Sequence, residues 1–177
     1  MSTGGVTLTG GEPLKHYKFL LKFLPLLKKE NIRIAVDSCG AIFNEGSKQV
    51  IKDYVDLMLL DLKAFNSDDY KKLTGYQLEP TLKTLEYLKE IQKPTWIRYV
   101  VVPGITDDTS KISQMIEFLG GYKDIIEKIE VLPFHKMGEF KWESLGLKYM
   151  LKDTPIPSKE NIQDIKKLFI DSGFNCQ

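Results

Sequence analysis

Five short apolar runs, each giving way to turn-forming or polar residues, constrain this chain more than any other feature. They read GVTLT (5–9), IRIAVD (32–37), VDLMLLDL (55–62), TWIRYVVV (95–102) and IEKIEVLPF (126–134). Several are near-continuous rather than alternating, the pattern of strands buried on both faces of a parallel sheet. Stretches of helical period separate them. Residues 14–30 repeat apolar side chains at helical spacing, with Pro25 expected to kink or split the helix. Residues 47–54 read as a short amphipathic helix, and residues 78–92 put Leu82, Leu85, Leu88 and Ile91 on one face behind Pro80. Residues 108–121 open on an Asp/Thr/Ser cluster and close on glycines, and residues 158–173 run from a Ser158 cap to Gly173. Residues 135–157 read as one long ordered loop.

Strands that alternate with helices pair in parallel through right-handed crossovers. Two architectures satisfy that rule, an open doubly wound sheet and all or part of a (β/α) barrel. Both collect functional residues in the loops after the strand C-termini. Polar residues do gather there, in TGGEP (9–13), DSCG (37–40), DLK (61–63), VVPGITDD (101–108) and PFH (133–135).

Composition narrows the partners. With 25 basic and 24 acidic residues the net charge is +1, which makes no electrostatic case for nucleic acid or an anionic membrane. No apolar run approaches the roughly 20 residues of a membrane span. The two cysteines, Cys39 and Cys176, are too few for a disulfide framework and suit a reducing, cytoplasmic setting. The 177 residues fit a single domain, 1–177.

Each strand end carries chemistry with more than one reading. Gly10 and Gly11 permit a tight turn before Pro13, with Glu12 complementing a helix N-terminus; the same uncluttered backbone suits close approach to an amine or carboxylate. The phosphate-loop glycine spacings are missing. Asp37 and Asp61 close apolar strands, where a carboxylate needs a partner, a ligand or a helix N-terminus to cap. Lys63 falls on the same side as Asp61 in an extended chain, a pair able to hold a zwitterion or to remain a rim salt bridge. Arg98 stands inside an apolar strand and would point into a barrel. His135 follows a strand directly, and His16 reads as a surface residue. No hydrolytic triad and no zinc spacing emerges. The residues alone point to an α/β ligand-binding enzyme of unnamed chemistry.

Taken in order, VTLTGGEP, DSCG, VDLMLLDLKAF, WIRYVVVPGITDD, KIEVLPFHKMGEFKW and KYMLKDTPIPSKENI resemble the pyruvate formate-lyase activating enzymes. These are glycyl-radical-enzyme activases of the radical S-adenosylmethionine superfamily, and the likeness runs over essentially the whole chain. The resemblance implies a partial (β/α) barrel of the radical SAM type, with five mostly parallel strands and helices outside. It implies S-adenosylmethionine as cofactor, beside a [4Fe–4S] cluster held by Cys-x-x-x-Cys-x-x-Cys. Reductive cleavage then yields a 5′-deoxyadenosyl radical that abstracts hydrogen from a glycine of pyruvate formate-lyase or a relative, with flavodoxin or ferredoxin as electron donor.

By the same resemblance, the Gly10–Gly11–Glu12 backbone meets the methionine amine. Asp37, Ser38 and Asp61 hold a monovalent cation beside the methionine carboxylate, and Lys63, Arg98 and His135 face the methionine and ribose. VVPGITDD and HKMGEFKW would flank the incoming glycine loop. The sequence departs from the family in having no Cys-x-x-x-Cys-x-x-Cys, and Cys39 stands where asparagine is common. The first strand and cluster loop are therefore expected to be missing, leaving the barrel portion of an activase, inactive by itself. The rival readings are a non-catalytic binding module and a cluster-free lyase or isomerase on the same barrel.

Overall fold

The computed structural model describes residues 4–177. Five strands form one sheet: β1 (Gly5–Leu8), β2 (Arg33–Ser38), β3 (Leu57–Asp61), β4 (Thr95–Val101) and β5 (Ile126–Pro133). They lie in the order β1-β2-β3-β4-β5, and every neighbouring pair is parallel. A doubly wound sheet reverses its strand order partway; this sheet does not. With crossovers of one hand, an unreversed order keeps every helix on the same side, which is how a (β/α) barrel is built. The partial barrel expected from the resemblance is the observed architecture.

The intervening helices are α1 (Tyr17–Lys29), α2 (Glu45–Tyr54), α3 (Ser67–Thr74), α4 (Glu79–Glu90), α5 (Thr109–Leu119), α6 (Glu139–Ser144) and α7 (Lys159–Asp171). α1 runs unbroken through Pro25, contrary to a split there. The lost amide bond is offset because Leu20 and Leu24, in the turn before the proline, are buried in the core and Leu27 beyond it packs against that core. α3 and α6 lie in stretches that carried no helix expectation. α3 buries only Tyr70, so its apolar stripe is too narrow to read, yet its ends are signalled by the Asn66 cap and by Gly75 at φ 76°.

Burial along the strands corrects the expectation of two buried faces. Ile34 and Val36, Met58 and Leu60, Ile97 and Tyr99, and Ile129 and Val131 are buried, while the residues between them are half-exposed. The buried set packs under the helices, against Leu85 and Leu88, Ile112 and Met115, and Ile165 and Phe169 among others. Each such side chain, taken fully out of water, contributes about 1.5–3 kcal/mol. Because side chains alternate along a strand, the intervening residues form a separate inner face. Residues 175–177 pair with the outer edge of β5, Val131 N–H donating to the Gln177 carbonyl at 3.1 Å. β1 forms the opposite edge of the sheet.

Candidate functional site

The inner face gathers its charge at the strand C-termini. Register sets Asp61 opposite Arg98 and Arg98 opposite Glu130. Arg98 reaches across β3 to β2, and its Nη1 donates to Asp37 Oδ2 at 2.7 Å. The hydroxyl of Thr9, just past β1, donates to the same oxygen at 3.2 Å. Lys63 Nζ donates to Asp61 Oδ2 at 2.6 Å, the pairing its sequence spacing allows. Burial works against a charged guanidinium, but the Asp37 hydrogen bond and the fields of Asp37, Asp61 and Glu130 outweigh it and hold the Arg98 pKa above its ordinary value.

Asp61, Lys63, Arg98, Leu132, Phe134 and His135 line an open cleft of about 490 Å³ at this end of the sheet. His135 stands exposed at its rim, its Nδ1 accepting the Met137 amide at 3.4 Å. Gly10, at φ 139°, and Gly11 are exposed just past Thr9, whose hydroxyl reaches Asp37, with open space where a Cβ would stand. A second cleft of about 300 Å³ opens at the other end, near Gly5, Arg33 and Trp96. The paired charges and the glycine backbone lie at the first, where the βα loops converge.

Two expected site residues point elsewhere. The Glu12 carboxylate accepts Leu14 N–H at 3.0 Å, Ser38 Oγ–H at 2.8 Å, and Cys39 N–H and Sγ–H at 3.1 Å each. The Ser38 hydroxyl is buried in that contact, on the opposite side of β2 from Asp37. Adjacent strand residues face opposite ways, so the Ser38 hydroxyl does not stand with the Asp37 and Asp61 carboxylates. The Glu12 side chain is a strut from the β1 loop to the β2 loop, and it fixes the turn whose backbone runs through Gly10, Gly11 and Glu12.

Sequence reasoning missed the rear of that strut. Thr81 Oγ1 donates to the Cys39 carbonyl at 2.7 Å, Thr84 Oγ1 donates to the Gly40 carbonyl at 2.8 Å, and Tyr70 OH meets Thr81 Oγ1 at 2.9 Å. Both threonines are fully buried, the one available signal being two β-branched hydroxyls on the apolar side of a helix. Gly40 sits at φ 68°, and a Cβ there would lie 2.9 Å from Leu60 Cδ1, so only glycine fits. Burial and the Glu12 hydrogen bond push the Cys39 thiol up to about 11, keeping it protonated and unreactive at neutral pH.

The 101–108 loop is likewise tied down. Buried Thr106 donates to the Val100 carbonyl at 2.8 Å, accepts Val102 N–H at 2.7 Å, and its own carbonyl accepts Tyr99 OH at 2.7 Å. Segment 135–157 is ordered around α6 but leaves Met137, Phe140, Leu145 and Met150 exposed. Among the described residues no group of three or more His, Cys, Asp or Glu is arranged to hold a metal ion. None of the helices there is long and apolar enough to cross a membrane.

Comparison with known proteins matches residues 1–119 to the Radical SAM superfamily. The pyruvate formate-lyase-activating enzyme of Streptococcus mutans is 37% identical over 171 residues, covering 94% of this chain and 65% of that protein. That of Listeria monocytogenes is 34% identical over 178 residues, covering 98% of this chain and 71% of that protein. This chain thus spans about two thirds of the length of either relative. The crystal structure of a domain of pyruvate-formate lyase-activating enzyme from Bacteroides vulgatus superposes with a TM-score of 0.82 at 27% identity, covering 98% of both chains. By sequence match, strand order and the position of its polar cleft, the chain belongs to the radical SAM superfamily and, within it, to the family of the pyruvate formate-lyase-activating enzymes.

Proposed function

We propose that these residues form the S-adenosylmethionine-holding portion of an activase that makes a glycyl radical on pyruvate formate-lyase or a related enzyme. One observation carries the reading. Two ion pairs, Arg98–Asp37 and Lys63–Asp61, stand with the uncrowded Gly10–Gly11 turn at the strand end where (β/α) folds bind ligands. A methionine zwitterion needs an anionic partner for its amine and a cationic one for its carboxylate, and this cleft supplies both. Gly10 and Gly11 carbonyls meet the amine, and Lys63 and Arg98 meet the carboxylate. Asp37 and Asp61 supply the two carboxylates for a monovalent cation beside it. Leu132 and Phe134 form the apolar wall, and His135 faces the ribose from the rim.

When bound, S-adenosylmethionine supplies the 5′-deoxyadenosyl radical that takes hydrogen from the partner's glycine. The described residues do not fit the [4Fe–4S] cluster that starts this cleavage. Cys39 is committed to Glu12, and Cys176 lies in the segment paired with the β5 edge. By itself, then, the chain binds the cofactor without cleaving it. In the complete activase the electron comes from a flavodoxin or ferredoxin, and loops 101–108 and 135–142 flank the partner's glycine.

Calorimetric titration with S-adenosylmethionine tests the pocket. One site per chain is expected, weakened at least about tenfold by Arg98→Ala, the usual scale for a lost charge-assisted contact. Equal affinity in that variant would remove Arg98 from the site. For the complete activase, anaerobic reconstitution without release of 5′-deoxyadenosine would overturn the functional reading.

A further inference from the structure

Arg98 Nε is buried without a hydrogen-bond partner, in contrast to the well-formed contact of Nη1 with Asp37. Glu130 Oε2 lies 3.4 Å from that nitrogen, inside ion-pair range but out of line with the N–H. The other oxygen of Glu130 accepts from Lys128 Nζ at 2.8 Å. Lys128 Nζ in turn stands 4.2 Å over the Trp96 ring, and the indole N–H donates to Glu127 at 3.2 Å. Register makes these two successive inward rungs of one strand pair, Trp96 opposite Lys128 and Arg98 opposite Glu130.

We infer that Glu130, anchored by Lys128, is the positioning residue for Arg98 and sets where the guanidinium stands in the cleft. A guanidinium held only by Asp37 keeps its rotational freedom about the Nη1 contact. A second carboxylate on the far side, itself fixed by a lysine stacked on an indole, removes that freedom and keeps the planar fork aimed across β3. Glu130 and Lys128 carry opposite charges and line no part of the described cleft, so their effect on a ligand passes through Arg98. The inference rests on the proposed role of Arg98, and its test includes a readout that needs no ligand.

The chain has only two arginines, Arg33 and Arg98, so its arginine Nε–H region in a nitrogen-15 spectrum contains two signals. Arg33 is exposed, and Arg98→Lys identifies the other. Buried beside the Glu130 carboxylate, the Arg98 Nε–H should exchange slowly in the wild type and faster in Glu130→Gln, where the guanidinium loses its second carboxylate and opens to solvent more often. Glu130→Asp should recover part of the protection, and Lys128→Met should produce a smaller increase. An Arg98 signal unmoved in shift and exchange by Glu130→Gln, with an unchanged fold by backbone amide spectra, overturns the inference. A variant that does not fold transfers the decision to Lys128→Met, read against the same criterion. S-adenosylmethionine titration of the same proteins separates the two readings. A moved Nε–H with unchanged affinity upholds the positioning role and removes Arg98 from the ligand; a moved Nε–H with weaker affinity supports both.

Discussion

On the helix side of the sheet, Ile34, Val36, Met58, Leu60, Ile97 and Ile129 are each at most 1% exposed. On the inner side, one residue along the same strands, Asp37, Asp61, Arg98 and Glu130 leave 18–24% of their side chains open. The first face removes apolar surface from water and therefore holds the fold. The second keeps charges partly solvated, where each ion pair contributes little to stability and, under the proposed function, its geometry sets what the cleft accepts. Stability and recognition are divided between alternate residues of the same strands.

Neighbouring substitutions test that division directly. Leu60→Ala on the helix side should cost about 2–5 kcal/mol in denaturant unfolding, since it opens a cavity under α4 and removes the contact against Gly40. Asp61→Asn, the next residue, should cost about 1 kcal/mol or less while weakening ligand binding. A cost for Asp61→Asn equal to that of Leu60→Ala would erase the distinction between the faces.

Glu12→Gln probes the strut between them. The amide keeps one acceptor oxygen but turns an NH₂ toward donors, so about 1–3 kcal/mol of stability should be lost. Cys39 should also alkylate faster at fixed pH, because the hydrogen bond that raises its pKa is gone. Unchanged alkylation would mean that burial alone protects the thiol.

The same thiol carries a pH signature. Its folded pKa of about 11 lies above the ordinary thiol value of 9.0, so between these the folded state binds more protons than the unfolded one. Its contribution is complete below pH 9 and is lost as the pH rises toward 11. The alkaline fall in unfolding free energy should be shallower in Cys39→Ala than in the wild type. Equal slopes would discount the shift. The smallest effect belongs to Lys83→Ala, whose partner Glu79 lies on the exposed side of α4 at 2.7 Å. Such a helical pair is worth about 0.3–0.5 kcal/mol, and a larger loss would show that the outer helix surface is not inert.

All five strands were legible because each is an apolar run bounded by turn residues. The pairing of Lys63 with Asp61 was legible because two residues along a strand return to the same side. α3 was hidden by its single buried residue, and α6 by a surface that exposes Phe140 and leaves Trp142 only partly covered. Glu12, Thr81 and Thr84 were not legible as one clamp, since they reach the Ser38–Gly40 turn from 26–27 residues before it and 42–44 residues after it. The Trp96–Lys128 and Arg98–Glu130 rungs were equally hidden, because register sets them and no local pattern encodes register.

The sequence by itself determined the βα rhythm, the clustering of polar groups at strand ends and the family to which the chain belongs. These are local or one-dimensional properties, carried by apolar period, turn chemistry and motif order. Tertiary structure alone decided which side of each strand became core, and so separated the Ser38 hydroxyl from Asp37 and made the Glu12 carboxylate a strut between two loops. It also aimed Arg98 across β3 at Asp37 with Glu130 behind it. The physical reason is that a side chain's partners follow from strand order, register and which face the helices cover, and all three are set only when distant segments pack together.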